Sequence, residues 1–139
     1  MDFNFSDDQK AIRELAYQIF TDRSSDEFLL AFSRSDETYD ETLWQTLAEQ
    51  GLLGVALPES AGGAGLGLVE LCLVLEEQGR RVAPVPLYAS LVLGALPIVE
   101  FGTEEQQQRY LPALASGKAK FSAAIAELAM NPAIVTPVT

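Results

Sequence analysis

The side chains able to do chemistry are few, and the missing ones narrow the field first. The chain has no histidine and one cysteine, Cys72. Without histidine, neither a Ser-His-Asp nor a Cys-His pair can activate a nucleophile. One thiol and no imidazole cannot supply the ligands of a zinc site, so no metal site is expected. A lone thiol also forms no intrachain disulfide, and Cys72 reads as a small buried hydrophobe. Carboxylates remain. Glu76 and Glu77 are neighbours in a helical stretch, so their side chains diverge by about 100° and cannot flank one substrate. Ion pairing with Arg80 or Arg81, or helix capping, accounts for them and for Glu70 better than acid–base catalysis. No catalytic residue is assigned.

Gly62-Gly63-Ala64-Gly65-Leu66-Gly67 precedes a helix, which invites a phosphate-binding reading. No Gly-Lys-Ser/Thr follows, and the apolar run before it ends at Pro58 instead of feeding a βαβ unit. A tight connection between closely packed helices explains the glycines.

The elements that position these residues are helical. Ser6-Asp7-Asp8-Gln9 has the form of a capping box. After it, Ile12, Leu15, Ala16, Ile19 and Phe20 fall on one face. A short helix is expected after Ser25, with Phe28, Leu29 and Phe32, and a loop from Ser33 to Tyr39. Asp40 caps a third helix carrying Leu43, Trp44 and Leu47, with Gly51 at its C-terminal end. Apolar helices follow at about 68–78 and 87–101, separated by Val82-Ala83-Pro84-Val85-Pro86. Pro97 should free the Leu93 carbonyl and bend or interrupt the second. That helix could be pure core or the wall of a greasy pocket. Thr103-Glu104-Glu105-Gln106 opens a last helix, closed by Ser116-Gly117, and 120–126 suits a strand. The fold class is therefore all-α, a helical bundle of residues 1–119, with a strand stub in 120–139 that starts a further β-domain.

Length and composition agree with one globular domain: 139 residues, 48% hydrophobic, 21% charged. Twenty acidic residues against nine basic ones give a net charge of −11. This charge disfavours nucleic acid and anionic membrane surfaces as partners. No secretory signal or spanning segment is read, so a cytoplasmic protein is expected.

In order and spacing these segments resemble the N-terminal helical domain of the acyl-CoA dehydrogenases. The resemblance is carried by Phe5-Ser6-Asp7-Asp8-Gln9, by 51–59 (Gly-Leu-Leu-Gly-Val-Ala-Leu-Pro-Glu), by the glycine-rich stretch with Glu70, and by Glu76-Glu77-Gln78-Gly79-Arg80. It continues in Gly102-Thr103-Glu104-Glu105-Gln106 and in 109–117 (Arg-Tyr-Leu-Pro-Ala-Leu-Ala-Ser-Gly). It implies α,β-dehydrogenation of an acyl-CoA thioester with FAD as hydride acceptor, electron-transfer flavoprotein as electron partner, and a homo- or hetero-oligomer. The glutamate base and most FAD contacts of the family lie beyond this domain. The helix with Pro97 resembles the one lining the acyl tunnel, which makes Val85, Tyr88, Ala89 and Leu93 candidate substrate-binding residues. The stub with Ala123, Ile125 and Ala126 resembles the first β-domain strand, which approaches the flavin. There the family's Thr-Glu-Pro is replaced by Ala126-Glu127-Leu128. The proline-flanked 82–86 segment resembles actinobacterial members, some acting on steroid or other bulky CoA esters, some built from two unlike subunits. Two alternatives follow: a non-catalytic partner subunit, or a free-standing helical interaction module.

Overall fold

A computed structural model describes residues 4–125, and within them the fold is all-α. Helix α1 (Asp7–Arg23) begins at the expected capping box: the Ser6 hydroxyl accepts the Gln9 N–H at 3.1 Å, and the Gln9 side chain accepts the Ser6 N–H at 3.0 Å. Its inner stripe, centred on Ala16 and Phe20, packs against α4 (Leu68–Arg81). Between them, α2 (Asp26–Phe32) is capped by Ser25 but buries none of its residues completely. Helix α3 (Glu41–Glu49) is capped by the Asp40 carboxylate, which accepts the Leu43 N–H at 3.0 Å. It presents Leu43, Trp44 and Leu47 to the core with no exposed surface. Gly51, at φ 74°, ends it in the left-handed region as expected.

The 3₁₀ turns Leu52–Gly54 and Glu59–Ala61 carry the chain to α4. That helix runs to Arg81, three residues past the expected end at 78. It stops at Val82, whose φ of 51° is unusual for a β-branched residue, and the proline-flanked segment begins there. The Gln78 amide then holds this segment by donating to the Ala83 and Val85 carbonyls at 3.2 and 2.7 Å.

The second apolar helix is interrupted, as Pro97 predicts, but in an unanticipated form. Tyr88–Ala95 is π-helical, and a short α5 (Leu96–Phe101) continues it with Pro97 in its first turn. The wider π turn, closed by i→i+5 bonds, moves the Leu93 carbonyl away from a proline ring that would strike it in an α-helix. Helix α6 (Glu104–Ala115) starts at the Thr103 capping box and tolerates Pro112 in its interior. One contiguous core joins Phe20, Trp44, Leu71, Val74, Leu91, Leu111 and Leu114 from five elements. Burial of each large apolar side chain contributes roughly 1.5–3 kcal/mol. The strand expected at 120–126 forms no ladder as far as Ile125, and Ala126 lies outside the described residues.

Candidate functional site

The carboxylates flagged in the sequence are ion-paired or used as caps. Glu77 is 2% exposed and pairs with Arg13 of α1 at 2.9 Å, with Arg80 farther off at 3.7 Å. Glu76 points to solvent and pairs with Arg80, and that charge and hydrogen bond hold its carboxyl below the usual range. Glu70 closes the α4 capping box by accepting the Gly67 N–H at 2.9 Å, and also accepts from the Gln9 amide of α1 at 2.8 Å. The Gln9 bond is the main reason its carboxyl is lowered. Arg13, Glu77 and Arg80 line an open cleft of about 360 Å³ between α1 and α4, with Lys10, Glu14 and Tyr17. Glu70, Glu76 and Glu77 are each engaged by an amide or a guanidinium, which accounts for them as structural groups.

The glycine-rich loop has no free cradle for a phosphate. From Gly62 to Leu66, the N–H groups donate to the carbonyls of Glu59, Pro58, Gly54, Leu57 and Val55, and Gly67 donates to Glu70. A Cβ at Gly63 would fall inside the Leu57 carbonyl, so that glycine is required by close backbone approach. The loop is a packing device.

The candidate pocket wall is the π-helical segment. Tyr88 is 58% exposed, and Ala89 and Leu93 are half-buried. In a helix closed by i→i+5 bonds Tyr88 and Leu93 share one face, with Ala89 flanking it. Val85 is separate from them, 6% exposed within the core. Farther along the same rod, Gly94 and Ile98 join Tyr110, Lys120, Phe121 and Ser122 around an open, mainly apolar depression of about 370 Å³. Ala123 and Ile125 are exposed just past it. Cys72 is also exposed, a correction to its reading as a buried hydrophobe: it falls on the outer face of α4, between buried Leu71 and Leu73.

Sequence reasoning missed Ser90, Trp44 Nε1 and Lys120. Ser90 is fully buried and meets Phe121, 31 residues away, with hydrogen bonds of 3.1 and 3.2 Å. A hydroxyl inside an otherwise apolar helix was the available signal, because a buried polar group needs a partner. Trp44 donates its indole N–H to the Gly117 carbonyl at 2.8 Å. Among the described residues no group of three or more metal-ligating side chains converges, and no helix is long and apolar enough to cross a membrane.

This capped helical bundle, with an interrupted apolar helix against its exit segment, is an acyl-CoA dehydrogenase N-terminal domain, and the chain belongs to that family: the family's N-terminal-domain model matches residues 6–118. Among curated relatives, the acyl-CoA dehydrogenase FadE12 of Mycobacterium tuberculosis is 35% identical over 123 residues, covering 88% of this chain and 31% of the relative. The probable acyl-CoA dehydrogenase YngJ of Bacillus subtilis is 34% identical over 131 residues, 91% of this chain and 33% of the relative. Among solved structures, a variant of the Tcur3481-Tcur3483 steroid ACAD superposes with a TM-score of 0.81 at 52% identity, over 87% of this chain and 33% of that one. The ChsE4-ChsE5 complex of M. tuberculosis gives 0.85 at 30% identity, over 94% and 36%. The chain thus spans about a third of the length of the curated relatives it matches.

Proposed function

We propose that this chain is the first domain of an FAD-dependent acyl-CoA dehydrogenase that oxidises the α,β C–C bond of a bulky, steroid-type CoA thioester, in a hetero-oligomer. The observation that carries the reading is the 52% identity to a steroid ACAD over 87% of the chain, on a superposing backbone. The helical body, 1–119, supplies the assembly surface and one wall of the acyl pocket. Tyr88, Ala89 and Leu93 are the wall, and Val85 anchors the start of their helix from within the core. The segment from Lys120 onward begins a β-domain.

FAD, when bound, supplies the hydride acceptor. The residues present fit an approach to it: Ser122 to Ile125, the first four residues past Phe121, are exposed and carry no charged side chain. Ala123 and Ile125 are the described candidates at that edge, and Ala126 would follow them. Their small or apolar side chains suit a ring face, and none brings a charge to it. No residue of this chain is offered as the base. The electrons would leave to an electron-transfer flavoprotein.

The test is the visible spectrum of the full-length protein, titrated first with a steroid side-chain CoA thioester and then with a straight-chain fatty acyl-CoA. Flavin bands that bleach with the steroid ester at lower concentration are expected. A flavin that bleaches only with the straight-chain ester would overturn the substrate class, and a protein that takes up no flavin would overturn the dehydrogenase reading.

A further inference from the structure

From Gly117 to Phe121 the chain is fastened repeatedly to the helical body; from Ser122 it makes no backbone hydrogen bond among the described residues. The Gly117 carbonyl accepts from Trp44 at 2.8 Å and from the Gln45 amide at 3.4 Å. Ala119 N–H donates to the Ala113 carbonyl at 3.0 Å. The Lys120 ammonium lies 4.5 Å from the centre of the Tyr39 ring, 5.3 Å from that of Trp44 and 3.3 Å from Glu41 Oε2, while Tyr39 hydrogen-bonds the same carboxylate. Ser90 Oγ then takes both backbone groups of Phe121, accepting its N–H and donating to its carbonyl. One hydroxyl thus does what a neighbouring strand residue would do. Gly94, one turn along the same helix, leaves room for this approach: a Cβ there would overlap the Phe121 Cβ.

Several independent contacts converge on Gly117, Ala119, Lys120 and Phe121. The aromatic faces hold a cation whose position is set by a carboxylate, and Ser90 fixes the peptide planes on either side of Phe121. We infer that Ser90, Gly94 and Lys120 form a clamp that sets the direction in which the chain leaves the helical body, and so positions the segment carrying Ala123 and Ile125. Its consequence for flavin binding rests on the function proposed above; the clamp itself does not. Ser90 and Lys120 are positioning residues, acting on the flavin edge through the backbone between Phe121 and Ile125.

Trp44 is the only tryptophan in these 139 residues, and its emission in the full-length protein, isolated by subtracting the spectrum of a Trp44→Phe variant, reports on the clamp. Three variants of the full-length protein test it: Ser90→Ala, Lys120→Met and Lys120→Arg. Loss of the Ser90 bonds is expected to speed amide exchange at Phe121 about tenfold, with the core amide of Leu47 unchanged. Lys120→Met is expected to shift Trp44 emission and weaken FAD binding severalfold without moving the urea midpoint, and Lys120→Arg to restore both. Unchanged Phe121 exchange and Trp44 emission would overturn the clamp. Faster exchange and shifted emission with unaltered FAD affinity would overturn the positioning role. If the parent protein binds no FAD, the dehydrogenase reading fails, while exchange and emission still decide the clamp.

Discussion

Arg13 and Glu77 stand 64 positions apart and meet across the α1–α4 contact with Glu77 almost completely buried. The sequence makes an ion pair for Glu77 plausible through Arg80 or Arg81, three and four positions away on the same helix. It cannot show the partner that matters, because the α1–α4 register is set by Ala16, Phe20, Leu71 and Val74 packing together, which no local spacing encodes. Removing one member of a buried pair is strongly destabilising because the other is left uncompensated, whereas replacing both by apolar groups is often tolerated. Arg13 is 35% exposed, so water moderates the penalty. Arg13→Ala is therefore expected to lower unfolding stability by about 2 kcal/mol, and Arg13→Leu with Glu77→Leu to recover most of that loss. Urea unfolding of the double variant and of its two singles, Arg13→Leu and Glu77→Leu, decides it: a double variant as unstable as the sum of the singles would show that the pair is not a unit.

At the scale of elements, the caps were legible and the helix geometry was not. Ser6, Asp40 and Thr103 open helices at the positions their side chains announce, because capping is a local bond within four residues. The π form of Tyr88–Ala95 was invisible, since an apolar run satisfies i+4 and i+5 closure equally. The two prolines separate the cases. Pro97 occupies the first turn of α5, and Pro112 the interior of α6, where its ring crowds a carbonyl and no N–H closes the bond. Pro97→Ala should therefore leave stability within about 0.5 kcal/mol of the parent, while Pro112→Ala should raise it by about 1 kcal/mol or more. Urea midpoints measure both, and a large gain from Pro97→Ala would mean that the π segment stores strain which the proline imposes.

For the whole molecule, the family and the element order were written in ordered motifs, while the way the exit segment is fastened came only from contacts 30 to 80 residues apart. Charge was fully legible, and its consequences can be worked out. A net charge of −11 makes the compact state repel itself. Lengthening the salt ladder from about 0.01 M to about 0.15 M shortens the screening distance from about 30 Å to about 8 Å, so stability at neutral pH should rise with salt. With no histidine, no side chain has an ordinary pKa between about 5 and 8, and stability should be flat there. Acid brings two opposing effects. Protonating surface carboxylates relieves repulsion, but Glu41, Glu70 and Glu76 are held below the ordinary value of 4.5 in the folded chain, first by hydrogen bonds from Tyr39, Gln9 and Arg80 respectively. A carboxylate lowered on folding contributes stability that is complete above its unfolded value and is lost as pH falls through its folded one. At these three groups the unfolded chain binds more protons than the folded chain as pH falls through 4.5, and this opposes the relief of repulsion. The expected profile is a plateau between about pH 6 and 8 and a fall below about 4.5, with a shallower acid limb in Glu70→Gln, which keeps a side-chain acceptor for Gly67 but no longer titrates. Urea unfolding of parent and variant across that range is the measurement. A steep change between pH 6 and 8 would point to a group other than a side chain of these 139 residues at its ordinary pKa, the α-amino group being the first candidate.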